Sequence, residues 1–135
     1  MTLNLPKVDE GNKPSVLIVD DEEKICLLIK TFLTQTRKFK NIVIAESVSV
    51  ALLKLRNEKF DLVIIDYKLP DKDGTSLVDL TSKSLQFRNL KYLMISGYLD
   101  GKSMMKVIDA GVKEVLVKPF TRDALIKKVS KVLKK

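Results

Sequence analysis

The stretch Leu62–Gly74, LVIIDYKLPDKDG, decides the fold. Its four apolar residues in a row, Leu62–Ile65, are too few for a helix and do not alternate with polar ones. A short continuous run of this kind fits a strand covered on both faces, as in a parallel sheet. The run stops at Asp66 and passes into Pro, Asp and Gly, which are turn formers. The same strand pattern recurs in both directions along the chain. Ser15–Val19 (SVLIV), Asn41–Ala45 (NIVIA), Tyr92–Ile95 (YLMI) and Val115–Val117 (VLV) are further apolar runs. Helix-period segments lie between them. Ile25, Leu28, Ile29, Phe32 and Leu33 fall on one helical face, as do Val48, Ala51, Leu52 and Leu55. Leu77, Leu80 and Leu85 mark a third helix, Met104, Met105 and Ile108 a short fourth, and Leu125, Ile126, Val129, Val132 and Leu133 a fifth. Strand and helix alternate five times, which predicts an α/β fold: an open, doubly wound parallel sheet with helices on both faces.

Composition narrows the chemistry. The chain has 135 residues, 45% hydrophobic and 31% charged, the profile of one globular domain. It has no His, which removes Ser-His-Asp and Cys-His hydrolysis and His-ligated zinc. A single cysteine, Cys26, excludes an internal disulfide and multi-cysteine metal sites and suits a reducing compartment. Cys26 reads as a small hydrophobe beside the apolar face of the first helix, and the Met104–Met105 pair as helix packing or an adaptable contact surface. No apolar stretch approaches the ~20 residues of a membrane span, so a soluble, cytoplasmic protein is expected. The net charge of +8 invites a nucleic-acid partner, but the lysines are spread along the whole chain with no nucleic-acid motif. Solvated helix faces are the simpler reading, with no direct nucleic-acid or membrane partner. Residues 1–14, with Pro6, Gly11 and Pro14, read as a flexible tail preceding a domain over 15–135.

In a doubly wound sheet, ligands bind beyond the carboxyl ends of the strands, where the strand order reverses. The first strand leads into Asp20, Asp21, Glu22 and Glu23, the third into Asp66, the fourth into Ser96 and Gly97, and the fifth into Lys118 and Pro119. Converging carboxylates repel one another unless a cation joins them, and oxygen-only ligands select a hard divalent ion such as Mg2+. Lys118 adds a positive charge and Ser96 a hydroxyl. Together these groups suit a phosphoryl group, with Asp66 as a carboxylate nucleophile.

Four motifs carry a resemblance to a known family: VLIVDDE at Val16–Glu22, D-x-x-L-P-x-x-D-G ending at Gly74, ISG at Ile95–Gly97 and KPF at Lys118–Phe120. Taken together, they resemble the receiver domain of two-component response regulators, in size most like the stand-alone chemotaxis and sporulation phosphorelay types. The spacings from Asp66, 30 residues to Ser96 and 52 to Lys118, fit as well. The resemblance implies a flavodoxin-like sheet of order 2-1-3-4-5 in a three-layer α/β/α arrangement. It implies Asp66 as phosphoacceptor, with Asp20, Asp21, Asp66 and the Lys68 backbone carbonyl around Mg2+. It implies that Ser96 and Lys118 contact the phosphoryl group and that the Lys118–Pro119 bond is cis. The implied donor is a histidine kinase or histidine phosphotransfer protein. The implied output is an effector protein or a second copy, bound through the face of helix 4, strand 5 and helix 5. Such a domain is a phosphoacceptor with self-catalysed transfer and autodephosphorylation, not an enzyme in the ordinary sense.

The chain departs from the family at Val115, where Tyr or Phe is usual. Valine is stiff at χ1 and has no ring to relocate. A switch would then run through the Ser96–Gly101 loop, with Tyr98 as the moving aromatic and as a shield for an acyl phosphate. Three alternatives stay open: a degenerate receiver that binds proteins without phosphorylation, a receiver cut from a larger regulator or hybrid kinase, and an aspartyl phosphatase. The last lacks its general acid, since Lys68 stands two residues after Asp66.

Overall fold

The computed structural model describes residues 12–134. The order of elements is β1 (Val16–Val19), α1 (Glu23–Thr36), β2 (Ile42–Ala45), α2 (Val48–Asn57), β3 (Leu62–Asp66), α3 (Gly74–Ser82), β4 (Lys91–Ser96), α4 (Gly101–Asp109), β5 (Val115–Val117) and α5 (Arg122–Leu133). A single 3-10 turn, Leu85–Phe87, lies between α3 and β4. Residues 1–11 of the expected tail fall outside the described residues.

All five strands are parallel, in the order β2-β1-β3-β4-β5. The register aligns Val16 with Ile42 on one side and with Leu62 on the other. β1 and β3 are buried along their whole length, as the apolar runs require. Their side chains alternate between two cores. Leu17, Val19, Val63 and Ile65 pack with Val48, Ala51 and Leu55 of α2, Leu77 and Val78 of α3 and Val107 of α4. Val16, Ile18, Leu62 and Ile64 pack with Cys26, Ile29 and Leu33 of α1 and Leu125 and Val129 of α5. The strand order reverses between β2 and β3, so the crevice of interest opens at the carboxyl ends of β1 and β3.

Several helical residues sit differently from their expected places. On α1, Ile25, Ile29, Phe32 and Leu33 face inward as read in the sequence, but Cys26 joins the buried face and Leu28 is exposed, which shifts the edge of the inward stripe. α3 ends at Ser82, because Ser84 is extended and its side chain accepts the Gln86 N–H to start the separate 3-10 turn. Leu85 therefore does not belong to α3 and, like Leu80, faces solvent. Thr81 takes the inward place instead, its hydroxyl 2.6 Å from that of Tyr92. On α4 only Val107 is buried, so Met104, Met105 and Ile108 form an outer apolar stripe and not the packing face. A hydrophobic period identifies a face. It does not say whether protein or solvent covers it.

Candidate functional site

The carboxyl ends of β1, β3, β4 and β5 bring Asp20, Asp66, Ser96 and Lys118 to one edge of the sheet. Asp66 and Ser96 are the last residues of β3 and β4, held in place by the strand ladders themselves. Lys118 is anchored by its backbone N–H, which donates to the Ser96 carbonyl at 2.8 Å. The Lys118–Pro119 peptide is cis. Asp20, Asp66 and Ser96 are all buried, while Asp21 is exposed at the mouth.

Lys118 is the electrostatic centre. Its ammonium donates to Asp66 Oδ2 at 3.0 Å and to Glu22 Oε1 at 2.9 Å. It also lies 3.0 Å from Asp20 Oδ2, in an ion pair too poorly aligned to count as a hydrogen bond. The other oxygen of Asp20 accepts the Glu22 N–H at 2.9 Å. Burial disfavours the Lys118 cation, but its contacts with Glu22, Asp66 and Asp20 outweigh that and hold its pKa well above the usual lysine range. Burial pushes the Asp66 carboxyl up to about 6, with help from Asp20 and against the pull of Lys118. The crevice thus holds more negative charge than one lysine neutralises.

The donor set fits a hard divalent ion. Carboxylate oxygens of Asp20, Asp21 and Asp66 all lie within 4.8 Å of one another. Asp20 Oδ2 is fully buried and meets only the Lys118 ammonium, with no aligned hydrogen bond, so it keeps lone pairs to offer a further cation. Asp20, Asp21 and Asp66 are therefore the side chains that would hold Mg2+. Lys68 lies beside them, its N–H pointing at Asp66 Oδ1 across 3.4 Å and its strand bridge to Asp73 fixing the loop.

The loop that follows Asp66 is braced by residues whose role the sequence did not disclose. Gly74 N–H donates to the Tyr67 carbonyl at 2.6 Å, and a Cβ at Gly74 would collide with the Asp66 backbone carbonyl. Glycine is required there so that α3 can start directly against β3. Asp71 accepts the N–H groups of Val48 and Ser49, both at 3.0 Å, at the start of α2. Burial alone would raise its pKa slightly, but those backbone donors bring the carboxyl down to about 2. Asp73 lies 3.6 Å from Lys106 and so connects the loop to α4.

Residues 16–130 match the response regulator receiver domain. The chain belongs to that family. Its chain is 31% identical over 119 residues to the chemotaxis protein CheY of Bacillus subtilis, covering 87% of this chain and 96% of that one. It is 29% identical over 110 residues to the transcriptional regulatory protein KdpE of Staphylococcus aureus, covering 82% of this chain but only 46% of KdpE. The chain thus spans less than half the length of that relative. The response regulator CheY4 of Vibrio cholerae superposes with a TM-score of 0.81 at 27% identity, over 89% of this chain and 98% of that one. This is a CheY-like receiver domain of two-component signalling, with the five parallel strands in the order 2-1-3-4-5 expected of it.

Other residues singled out in the sequence take these positions. Ser96 Oγ donates to the Tyr98 carbonyl at 3.1 Å, but the Tyr98 side chain is 81% exposed. The ring therefore stands in solvent and does not cover Asp66 in this conformation. Val115 is half-buried against the core of α2, α3 and α4, opposite Met94. The Cys26 thiol donates to the Asp20 carbonyl at 3.2 Å, and burial pushes its pKa up to about 11. Such a thiol is packing, not a nucleophile. Among the described residues no helix is long and apolar enough to cross a membrane. Glu22 went unrecognised as a member of the site. Its place beside Asp21 made it look like an ordinary acidic residue at a helix start.

Proposed function

We propose that Asp66 accepts a phosphoryl group from the phosphohistidine of a histidine kinase or histidine phosphotransfer protein, and that the domain signals through the resulting change of surface. The observation that carries this reading is the buried Asp66 carboxylate held between the Lys118 ammonium and two further carboxylates. An Asp66 oxygen attacks phosphorus while the phosphorus–nitrogen bond breaks, and the departing imidazole keeps the electron pair and takes a proton from water. When bound, Mg2+ neutralises charge on the transferring phosphoryl oxygens. Lys118 donates to one of those oxygens, and Ser96 exchanges its contact with the Tyr98 carbonyl for another. The chain is then a phosphoacceptor with self-catalysed transfer and dephosphorylation, working in the cytoplasm, and acts on no separate substrate.

The output surface proposed is the face of α4, β5 and α5. Met104, Met105 and Ile108 of α4 and Val117 of β5 are exposed, as is Tyr98 in the loop before α4. Asp73 and Lys106 connect that face to the acceptor loop. An effector protein or a second copy is the partner such a face suits.

Intact mass after incubation with acetyl phosphate tests the reading, with and without Mg2+, on wild type and on Asp66→Asn. The expected result is one phosphoryl addition that requires both the metal and Asp66. No adduct, together with no binding of beryllofluoride, would remove the phosphorylation reading and leave a receiver-shaped binding module.

A further inference from the structure

Glu22 is the member of the crevice that the phosphoacceptor chemistry leaves without a task. Asp20 and Asp66 reach Lys118 from inside the protein, with side chains 0% and 7% exposed. Glu22 reaches it from outside at 2.9 Å, with its own side chain 59% exposed. One of the two aligned hydrogen bonds of the ammonium is thus spent on a carboxylate at the mouth, where an incoming phosphoryl group and its donor must arrive. The Glu22 backbone is fixed independently, since its N–H donates to Asp20 Oδ1 and its carbonyl accepts the Ile25 and Cys26 N–H groups. Its side chain makes no cap contact with α1. The carboxylate is therefore free to leave Lys118 without disturbing the helix.

We propose that Glu22 is a positioning residue that acts through Lys118, holding the ammonium outward in the resting domain and competing with the phosphoryl oxygens for it. This rests on the phosphorylation reading above and adds to it a reason why the phosphorylated state is less favourable than Asp66, Ser96 and Lys118 alone would make it. The competition has two sources. A phosphoryl oxygen that pairs with Lys118 displaces Glu22 or shares the ammonium with it. Whichever occurs, a carboxylate remains close to a doubly charged group. Glu23 gives the natural contrast. It carries the same charge one residue further on, exposed in the first turn of α1, and makes no contact with Lys118 among the described residues.

The experiment is a titration of the full chain with beryllofluoride at saturating Mg2+, comparing wild type, Glu22→Gln and Glu23→Gln. Glu22→Gln is expected to bind beryllofluoride about fivefold more tightly, the scale of one well-oriented exposed ion pair. Glu23→Gln should stay near wild type. The Lys118 ammonium signal, followed by lysine-resolved NMR without beryllofluoride, should move in Glu22→Gln and stay in place in Glu23→Gln. Equal tightening in both variants would show a general charge effect and overturn the proposal. Unchanged or weaker binding in Glu22→Gln would overturn it too. If wild type and both variants bind no beryllofluoride, the phosphorylation reading itself falls and takes this one with it. Binding by wild type with no difference among the three removes only the role of Glu22.

Discussion

The two ends of the same sheet carry opposite charge in opposite settings. At the carboxyl end, Asp20 and Asp66 are buried and share the nearly buried Lys118. At the amino end, Lys40, Lys59, Arg88 and Lys91 surround a wide open cleft, all of them exposed. The one carboxylate in that cleft among the described residues, Asp61, is already engaged by the Ser15 N–H at 2.8 Å. The basic end gathers several exposed cations, yet the acidic end holds the candidate site. Charge in water is screened and cheap, whereas charge removed from water shifts pKa values and demands partners. Burial, and not the number of charges, separates the two ends.

Taking the charge off one lysine at each end is the sharpest way to test that contrast. Lys118→Gln leaves the carboxylates of Asp20 and Asp66 facing each other with no cation, and a loss of about 3 kcal/mol in unfolding free energy is expected in metal-free buffer. Urea denaturation at neutral pH reads it directly. A loss below the scatter of surface substitutions would mean that Asp66 simply takes up a proton in the variant. The loss would then reappear as pH rises.

Asp66→Asn is expected to act in the opposite sense. The folded carboxyl is raised from its ordinary value to about 6, so the group's contribution to stability is complete below pH ~4 and is lost as pH rises through 6. Removing the ionisable group should therefore stabilise the metal-free protein by roughly 2–3 kcal/mol at pH 7.5, from a shift of roughly two pKa units at about 1.4 kcal/mol each that already includes the pull of Lys118. At pH 4 the variant and wild type should be nearly equal. Thermal melts in chelator at the two pH values check this. A gap of the same size at both would assign the effect to packing and not to the buried charge.

The contrast between the ends also explains what was legible in the sequence. The strands stood out because both faces of β1 and β3 are covered, leaving unbroken apolar runs such as LVII at Leu62–Ile65. Asp66, Ser96 and Lys118 were legible because each follows such a run, and the sheet brings strand ends together whatever the helices do. The sequence was less informative where the partner of a side chain comes from elsewhere in the chain. Leu28, Leu80 and Met105 fit a helical period and yet face solvent, while Cys26 and Thr81 are buried. Asp71 looked like a turn residue, but its partners lie 22 and 23 positions earlier, at the start of α2. Glu22 meets Lys118 across 96 positions, a distance no local pattern spans. The need for Gly74 likewise depends on the backbone of β3 passing beneath it.

The smallest effect is expected at the amino end, and its smallness is informative. The double variant Lys40→Gln, Lys91→Gln removes two charges, against one in Lys118→Gln. Neither side chain pairs with a carboxylate among the described residues, and both are exposed, so water solvates them equally well folded and unfolded. Their remaining influence is mutual repulsion with neighbouring cations in a chain of net charge +8. That repulsion is screened over about 8 Å at physiological salt. Unfolding free energy should therefore change by less than about 0.5 kcal/mol, in the stabilising direction at low salt and towards zero as salt is added. Urea curves at two ionic strengths measure both features. A loss of more than about 1 kcal/mol would mean that the cleft holds an internal partner for these lysines, and the two ends would then differ in degree and not in kind.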